Sequence, residues 1–260
     1  MEHHLLDQLT KVARENVLQT YYSLAQALPE TEFERREGYT RVRGSWPLSF
    51  CHFAGEFDSR RDPDVLAREL KSESQTKDGL WVFVMPGDEP AGLRNALLDN
   101  GFSLRQCLCL MGNRSPGSDS LGIEAATDAD SRMRIGNFMA EQFFPFSPTN
   151  SRSLVARSTA LSISDLVYSG SIFEPDVAMM LSRSRRAVGL YNLCVRKELR
   201  GNGLGGKFVG SALRLADQYG LPLTLQCHAS LRDWYGSLGF QQIGTVHAFF
   251  SGGKGRSDIL

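Results

Sequence analysis

The sequence has no excess of either charge: Lys and Arg total 29, Asp and Glu total 29, and the formal net charge over 260 residues is zero. A global field that would gather nucleic acid or an anionic membrane surface is therefore not expected, and any anion site has to be local. Long hydrophobic runs are missing as well. The longest, Trp81 to Pro86 and Cys107 to Met111, extend for about five or six residues, against the roughly 20 that a bilayer-spanning helix needs. Cysteine is scarce and odd in number. Cys51, Cys107, Cys109, Cys194 and Cys227 contain no CxxC pair and no histidine at zinc-ligand spacing, which argues against a disulfide framework or a metal. They read as reduced core residues. The start, Met1-Glu2-His3-His4-Leu5-Leu6-Asp7, lacks the basic and apolar stretches of a secretory signal, so a cytoplasmic location is expected.

What is present is the composition of a globular protein, 42% hydrophobic and 22% charged. The length suits two domains, each large enough to bury a core. Apolar residues at helical spacing (Leu6, Leu9, Val12, Val17, Tyr21, Leu24, Leu28) predict a long opening helix. Strand patterns follow at Tyr39 to Val42, Leu48 to Phe57, Leu80 to Met85 and Phe102 to Met111, with helices at Asp64 to Lys71 and Glu89 to Asn100 between them. The run of turn residues from Gly112 to Ser120 is read as a linker between a domain at 1–111 and another at 121–260. The second half predicts a strand near Ile123, helices at Asp128 to Phe144 and Ser151 to Leu161, a strand near Leu166, and a hairpin of Val177 to Leu181 with Ala187 to Val195. Its tip, with Arg183, Arg185 and Arg186, reads as a solvated turn.

A phrase recurs. Leu93-Arg94 to Gly101-Phe102 and Leu231-Arg232 to Gly239-Phe240 match at Leu, Arg, Gly and Phe in the same ten-residue frame, each preceded by an apolar strand that begins near a Gly-Leu pair, Gly79-Leu80 and Gly220-Leu221. A helix stop followed by a buried aromatic accounts for a Gly-Phe pair by itself, whereas the shared order of elements favours a duplication.

The sharpest local signal is a strand ending at Leu193-Cys194-Val195, four glycines within Gly201 to Gly206, and a helix whose Phe208, Ala212, Leu215 and Tyr219 share a face. Glycines at a helix start let backbone N–H groups and the positive end of the helix dipole approach a bulky anion, so this loop is read as a phosphate site. A dinucleotide fold would need an acid at the end of the next strand, where His228 stands. A nucleotide-triphosphate loop would need a hydroxyl for magnesium, where Phe208 stands.

Arg200-x-x-Gly203-x-Gly205 after that strand, followed by helix, strand, and a helix with Tyr235 five residues before Phe240, resembles the GNAT superfamily of N-acetyltransferases over about Gly122 to Phe250. The resemblance implies an α/β (α+β) fold with a mixed, mostly antiparallel sheet flanked by helices, in two tandem halves of which the first is degenerate. It implies acetyl-CoA as co-substrate, with no metal. The pyrophosphate would lie on the amides of Arg200, Gly201, Asn202, Gly203, Leu204 and Gly205, with Gly206 and Lys207 close by, and the pantetheine arm along Leu193, Cys194 and Val195. Tyr235 falls at the family's general acid, with a core aromatic as its alternative reading. His228 stands where many members carry asparagine, and is either a base, a coenzyme contact or a structural histidine. Gly189 stands where some carry a basic glutamate. Phe143, Phe144 and Phe146 fall near the acceptor wall, or in the core. In the first half Leu97 holds the frame position of Tyr235 and no glycine loop precedes it. The expected activity is direct acetyl transfer to a primary amine, of a small molecule or a peptide, with no nucleic-acid or membrane partner and with an oligomer compatible. The alternative is a catalytically weak acyl-CoA-binding sensor or regulatory module, suggested by the missing carboxylate.

Overall fold

The computed structural model describes residues 2–46, 48–75, 79–115, 117 and 121–252. Residues 116 and 118–120 of the expected linker lie outside them, and 112–113 belong to a strand. The chain opens with α1 (Glu2–Gln26), then β1 (Glu32–Arg36), β2 (Tyr39–Arg43), a short 3-10 turn at Ser49–Cys51 and β3 (His52–Gly55). α2 (Pro63–Glu73), β4 (Leu80–Val84), α3 (Leu93–Asp99) and β5 (Ser103–Asn113) complete the first half. The second half holds β6 (Glu124–Ala125), α4 (Ala129–Phe143), α5 (Thr149–Leu161), β7 (Asp165–Ser171), β8 (Glu174–Arg183) and β9 (Val188–Val195). It ends with α6 (Leu204–Gln218), β10 (Leu223–His228), α7 (Arg232–Ser237) and β11 (Gln241–Ser251).

Among the described residues eleven strands join one sheet in the order β1-β2-β3-β4-β11-β5-β10-β9-β8-β7-β6. Of the neighbouring pairs among these described strands, β3 with β4 and β9 with β10 run parallel and the others antiparallel. In both places the crossover is a helix, α2 and α6, as a parallel pair requires. The closing strands trade places. β5 lies between β11 and β10, and β11 lies between β4 and β5, so each half's last strand pairs with the other half's parallel pair. Local patterning cannot announce this exchange, because it depends on partners more than a hundred residues away.

The repeated phrase has one physical basis in both copies. Phe102 N–H donates to Leu97 O at 2.9 Å and Gly101 N–H to Leu98 O at 3.0 Å. Phe240 N–H donates to Tyr235 O at 3.1 Å and Gly239 N–H to Gly236 O at 3.0 Å. The two glycines take φ of +78° and +88°, so each helix stops in a left-handed turn that an L side chain resists. Phe102 and Phe240 are then buried in the cores of their own halves.

α1 lies across the middle, packing Leu9, Val12, Ala13 and Val17 against β5 and β11 residues such as Leu110, Ile243 and Val246. Its fully buried Asn16 donates to Ser182 O at 2.8 Å and accepts from the Tyr191 hydroxyl at 2.8 Å. Gly189 makes room for this contact, since a Cβ there would stand 1.9 Å from Asn16 Oδ1. β1 escapes the strand pattern because Glu32-Phe33-Glu34-Arg35-Arg36 is charged at four of five positions; it is an exposed edge, where charge discourages pairing with another chain. Four of the cysteines are buried as read, whereas Cys107 is exposed.

Candidate active site

The glycine loop begins where β9 ends. Arg200 donates from Nε to Val195 O at 3.0 Å and from its terminal nitrogen to Gln142 Oε1 at 2.9 Å, which ties the loop to β9 and to the end of α4. Gly201 and Gly203 have φ of +84° and +74°, and a Cβ at either would meet nothing within 4 Å. Glycine is needed there for backbone conformation, not for room. Gly203 caps α6 without a side-chain acceptor, and the first N–H paired within the helix is that of Lys207, on Gly203 O at 3.1 Å. The amides ahead of it face the helix's positive end with no capping oxygen. α2 and α4 differ, for Asp62 and Asp128 accept their leading N–H groups. A Cβ at Gly205 would stand 3.6 Å from the side chains of Val195 and Trp234, so the loop lies beside both β9 and α7. Leu204 and Gly206 are half-buried, and Asn202 and Lys207 are exposed.

Next to the loop, β9 and β10 part. They pair from Val188/Leu223 to Leu190/Leu225 and no further, although β9 runs on to Val195 and β10 to His228. On its other edge β9 carries a bulge against β8, between Ala178/Cys194 and Met180/Tyr191. Asn192 takes up the extra residue at φ +52°. Asparagine is among the few side chains that accept that region readily. A cavity of about 310 Å³ fills the wedge, with Tyr191, Asn192 and Leu193 on one side and Gln226, Cys227 and His228 on the other.

The cavity joins several residues that the sequence singles out. Tyr235, His228, Leu193, Phe143 and Phe144 line it. Phe146 does not, being 99% exposed on the loop between α4 and α5. Tyr235 is 5% exposed, with its ring edge-on to Trp234 at 4.6 Å and to Phe240 at 5.7 Å. Burial, with the nearby Cys227 thiol, holds its phenol well above the usual tyrosine range, so it keeps its proton at any working pH. It is at once a core aromatic and a cavity wall. Cys194 turns into the core, its sulfur 3.7 Å from Ala178 O, and burial pushes its thiol up to about 12, which is not the state of a nucleophile.

Several of the lining residues that sequence patterning did not raise come from the first half. Tyr21 and Leu24 of α1, Ser49 and Phe50 of the 3-10 turn, Phe83 of β4, and Gln106 and Leu108 of β5 all reach the cavity. Tyr21 donates to Gln226 Oε1 at 3.2 Å across the halves, and burial pushes its phenol up to about 12. Asn16 had one visible signal, a polar side chain on the apolar face of α1, and Asn192 another, an asparagine inside a strand pattern.

Residues 176–250 match the family model of the acetyltransferase (GNAT) domain. The second half carries a GNAT domain. Among solved structures, a GCN5-related N-acetyltransferase from Kribbella flavida is similar over 94% of this chain and 96% of its own, with a TM-score of 0.63 and 14% identity. A tandem GNAT protein from the clavulanic acid biosynthesis pathway is similar over 94% and 96%, with a TM-score of 0.58 and 13% identity. A putative GNAT acetyltransferase from Novosphingobium aromaticivorans follows over 93% and 97%, with a TM-score of 0.57 and 17% identity. Coverage of nearly the whole chain makes the first half GNAT-like in fold too, and the open, mostly antiparallel sheet is the one these proteins share. No curated protein matches the chain. Among the described residues, no group of His, Cys, Asp and Glu could hold a metal ion, and no helix is long and apolar enough to cross a membrane.

Proposed function

We propose that the protein transfers an acetyl group from acetyl-CoA to a primary amine, and that the second half alone binds the coenzyme. The observation that carries this is the junction of two features: uncapped amides at the start of α6 and an open wedge between β9 and β10, joined through Val195 and Gly205. The loop from Arg200 to Lys207 holds the pyrophosphate by its N–H groups. The free edge of Tyr191 to Val195 pairs with the amides of the pantetheine arm, as an added strand would. The thioester then lies in the cavity beside Tyr235.

The amine lone pair attacks the thioester carbon, a C–N bond forms and the C–S bond breaks. Sulfur takes the Tyr235 proton as it leaves, nitrogen sheds one proton to His228 or to water, and Tyr235 is reprotonated from solvent. A phenol held high is a weak acid against a thiol in water. In this cavity the departing thiolate is desolvated as well, and Cys194 illustrates how far burial alone raises a thiol, so the transfer is closer to balance. Phe143 and Phe144 form part of the acceptor wall. The test is steady-state release of free thiol from acetyl-CoA over a panel of amines, with calorimetry of acetyl-CoA binding beside it. Amine-dependent release is expected. Binding without turnover for every amine would leave the sensor reading in its place.

A further inference from the structure

The cavity's chemistry bears on what it accepts. Its walls are built largely of apolar groups, Leu24, Phe83, Leu108, Val155 and Met180 among them, and its polar groups are neutral: Ser49, Gln106, Thr159 and the Tyr21–Gln226 pair. Among the described lining residues there is no aspartate, glutamate, lysine or arginine. His228 lines the cavity too and is exposed. β9 offers no carboxylate anywhere along its length, and at Gly189 the space a side chain would need is taken by Asn16.

An ammonium entering such walls would lose its hydration with no counter-charge in return. It would have to enter as the free base, and an amine as basic as lysine is neutral in roughly one molecule in a thousand or fewer at pH 7. An amine whose lone pair is delocalised into an aromatic ring is neutral at that pH without help, and its ring suits walls of phenylalanine and leucine. Resting on the transfer reading above, we infer that the acceptor is an apolar amine already neutral at pH 7, an aromatic amine being the simplest class, and that the first half selects it through Phe83, Gln106, Leu108 and Tyr21. Peptide lysines, amino acids and polyamines are outside this class.

Two isomers separate the cases. 4-Ethylaniline and 2-phenylethylamine have the same atoms and closely similar bulk, but only the second is protonated at pH 7. With acetyl-CoA saturating, thiol release should give kcat/KM at least tenfold higher for 4-ethylaniline at pH 7. Its profile should stay flat from pH 6 to 9, while that of 2-phenylethylamine climbs about tenfold per unit. Gln106→Glu, which sets a carboxylate on the wall, should move the ratio toward 2-phenylethylamine by tenfold or more. Equal values at pH 7, a plateau for 2-phenylethylamine below pH 8, or turnover of spermidine or lysine in preference to both would overturn the inference while leaving acetyl transfer intact. Failure of the parent to bind acetyl-CoA by calorimetry would overturn the transfer reading itself, and this inference with it.

Discussion

The two halves start from the same plan, a parallel strand pair crossed by a helix, and finish it in opposite ways. In the second half the strands part after Leu190 and Leu225 and leave a cavity. In the first, β3 and β4 part after Ala54 and Val82, but the chain then turns through Glu56 at φ +60° and closes the gap: Glu89 N–H donates to Phe57 O at 3.2 Å and Ser59 N–H to Glu89 O at 3.3 Å. Asp88 fills the region behind, paired with Arg14 of α1 and accepting the Met85 N–H at 2.7 Å. At the helix start, where α6 has an uncapped glycine, α2 has Asp62, whose carboxylate accepts from the N–H groups of Asp64 and Val65 at 2.9 and 3.1 Å. A fixed anion already sits where a phosphate would have to bind. The first half is thus filled at the places where the second is open, and it contributes a wall of the second half's cavity and the strand β5 beside β10.

This contrast can be broken most visibly at Tyr235, whose frame partner in the first half is the buried Leu97. Tyr235→Phe should lower kcat by on the order of 10²-fold or more with coenzyme affinity almost unchanged, as expected for loss of a positioned acid. Unchanged turnover would return Tyr235 to the core alone.

The polar plug in the first half should be visible in stability against pH. The Asp88 side chain is 1% exposed, and burial pushes its carboxyl up to about 6, against the opposing pull of Arg14 and the Met85 amide. Its folded pKa lies above its unfolded value, so the folded state binds the extra proton. The related stability is full below about pH 4 and is lost as pH rises through 6, amounting to at most about 3 kcal/mol for a shift of this size. Urea unfolding from pH 4 to 7 should show this fall in the parent and a flatter line in Asp88→Asn; parallel lines would contradict it.

Smaller effects compare the two helix starts directly. Gly203→Val forces a branched side chain into left-handed backbone at a cost of about 1–2 kcal/mol, and acetyl-CoA affinity should fall about tenfold. Asp62→Ala removes a cap and should lower stability by about 1 kcal/mol with no change in that affinity. A coenzyme effect of equal size from both variants would erase the distinction between the halves.

The parts of this arrangement written in local chemistry were legible from sequence: the glycine loop, the left-handed stops at Gly101 and Gly239, the helix pattern of α1 and the hairpin of β8 with β9. The split of β9 from β10 was reachable only through the family resemblance, since no local rule states where a parallel pair ends. The exchange of β5 and β11 was not legible, because either strand's alternation fits any partner of the right length. The cavity's first-half wall was hidden for a related reason. Tyr21, Leu24 and Phe83 have the spacing of ordinary core residues, and only tertiary packing turns them toward an open space. Phe146 illustrates the converse: a cluster of three aromatics in sequence is divided by the chain between a cavity wall and solvent.

The most direct measurement is the stoichiometry of acetyl-CoA binding by calorimetry on the whole chain. One coenzyme per chain, with Gly203→Val weakening it and Asp62→Ala leaving it intact, is the result this account predicts. Two coenzymes per chain, or none, would contradict it.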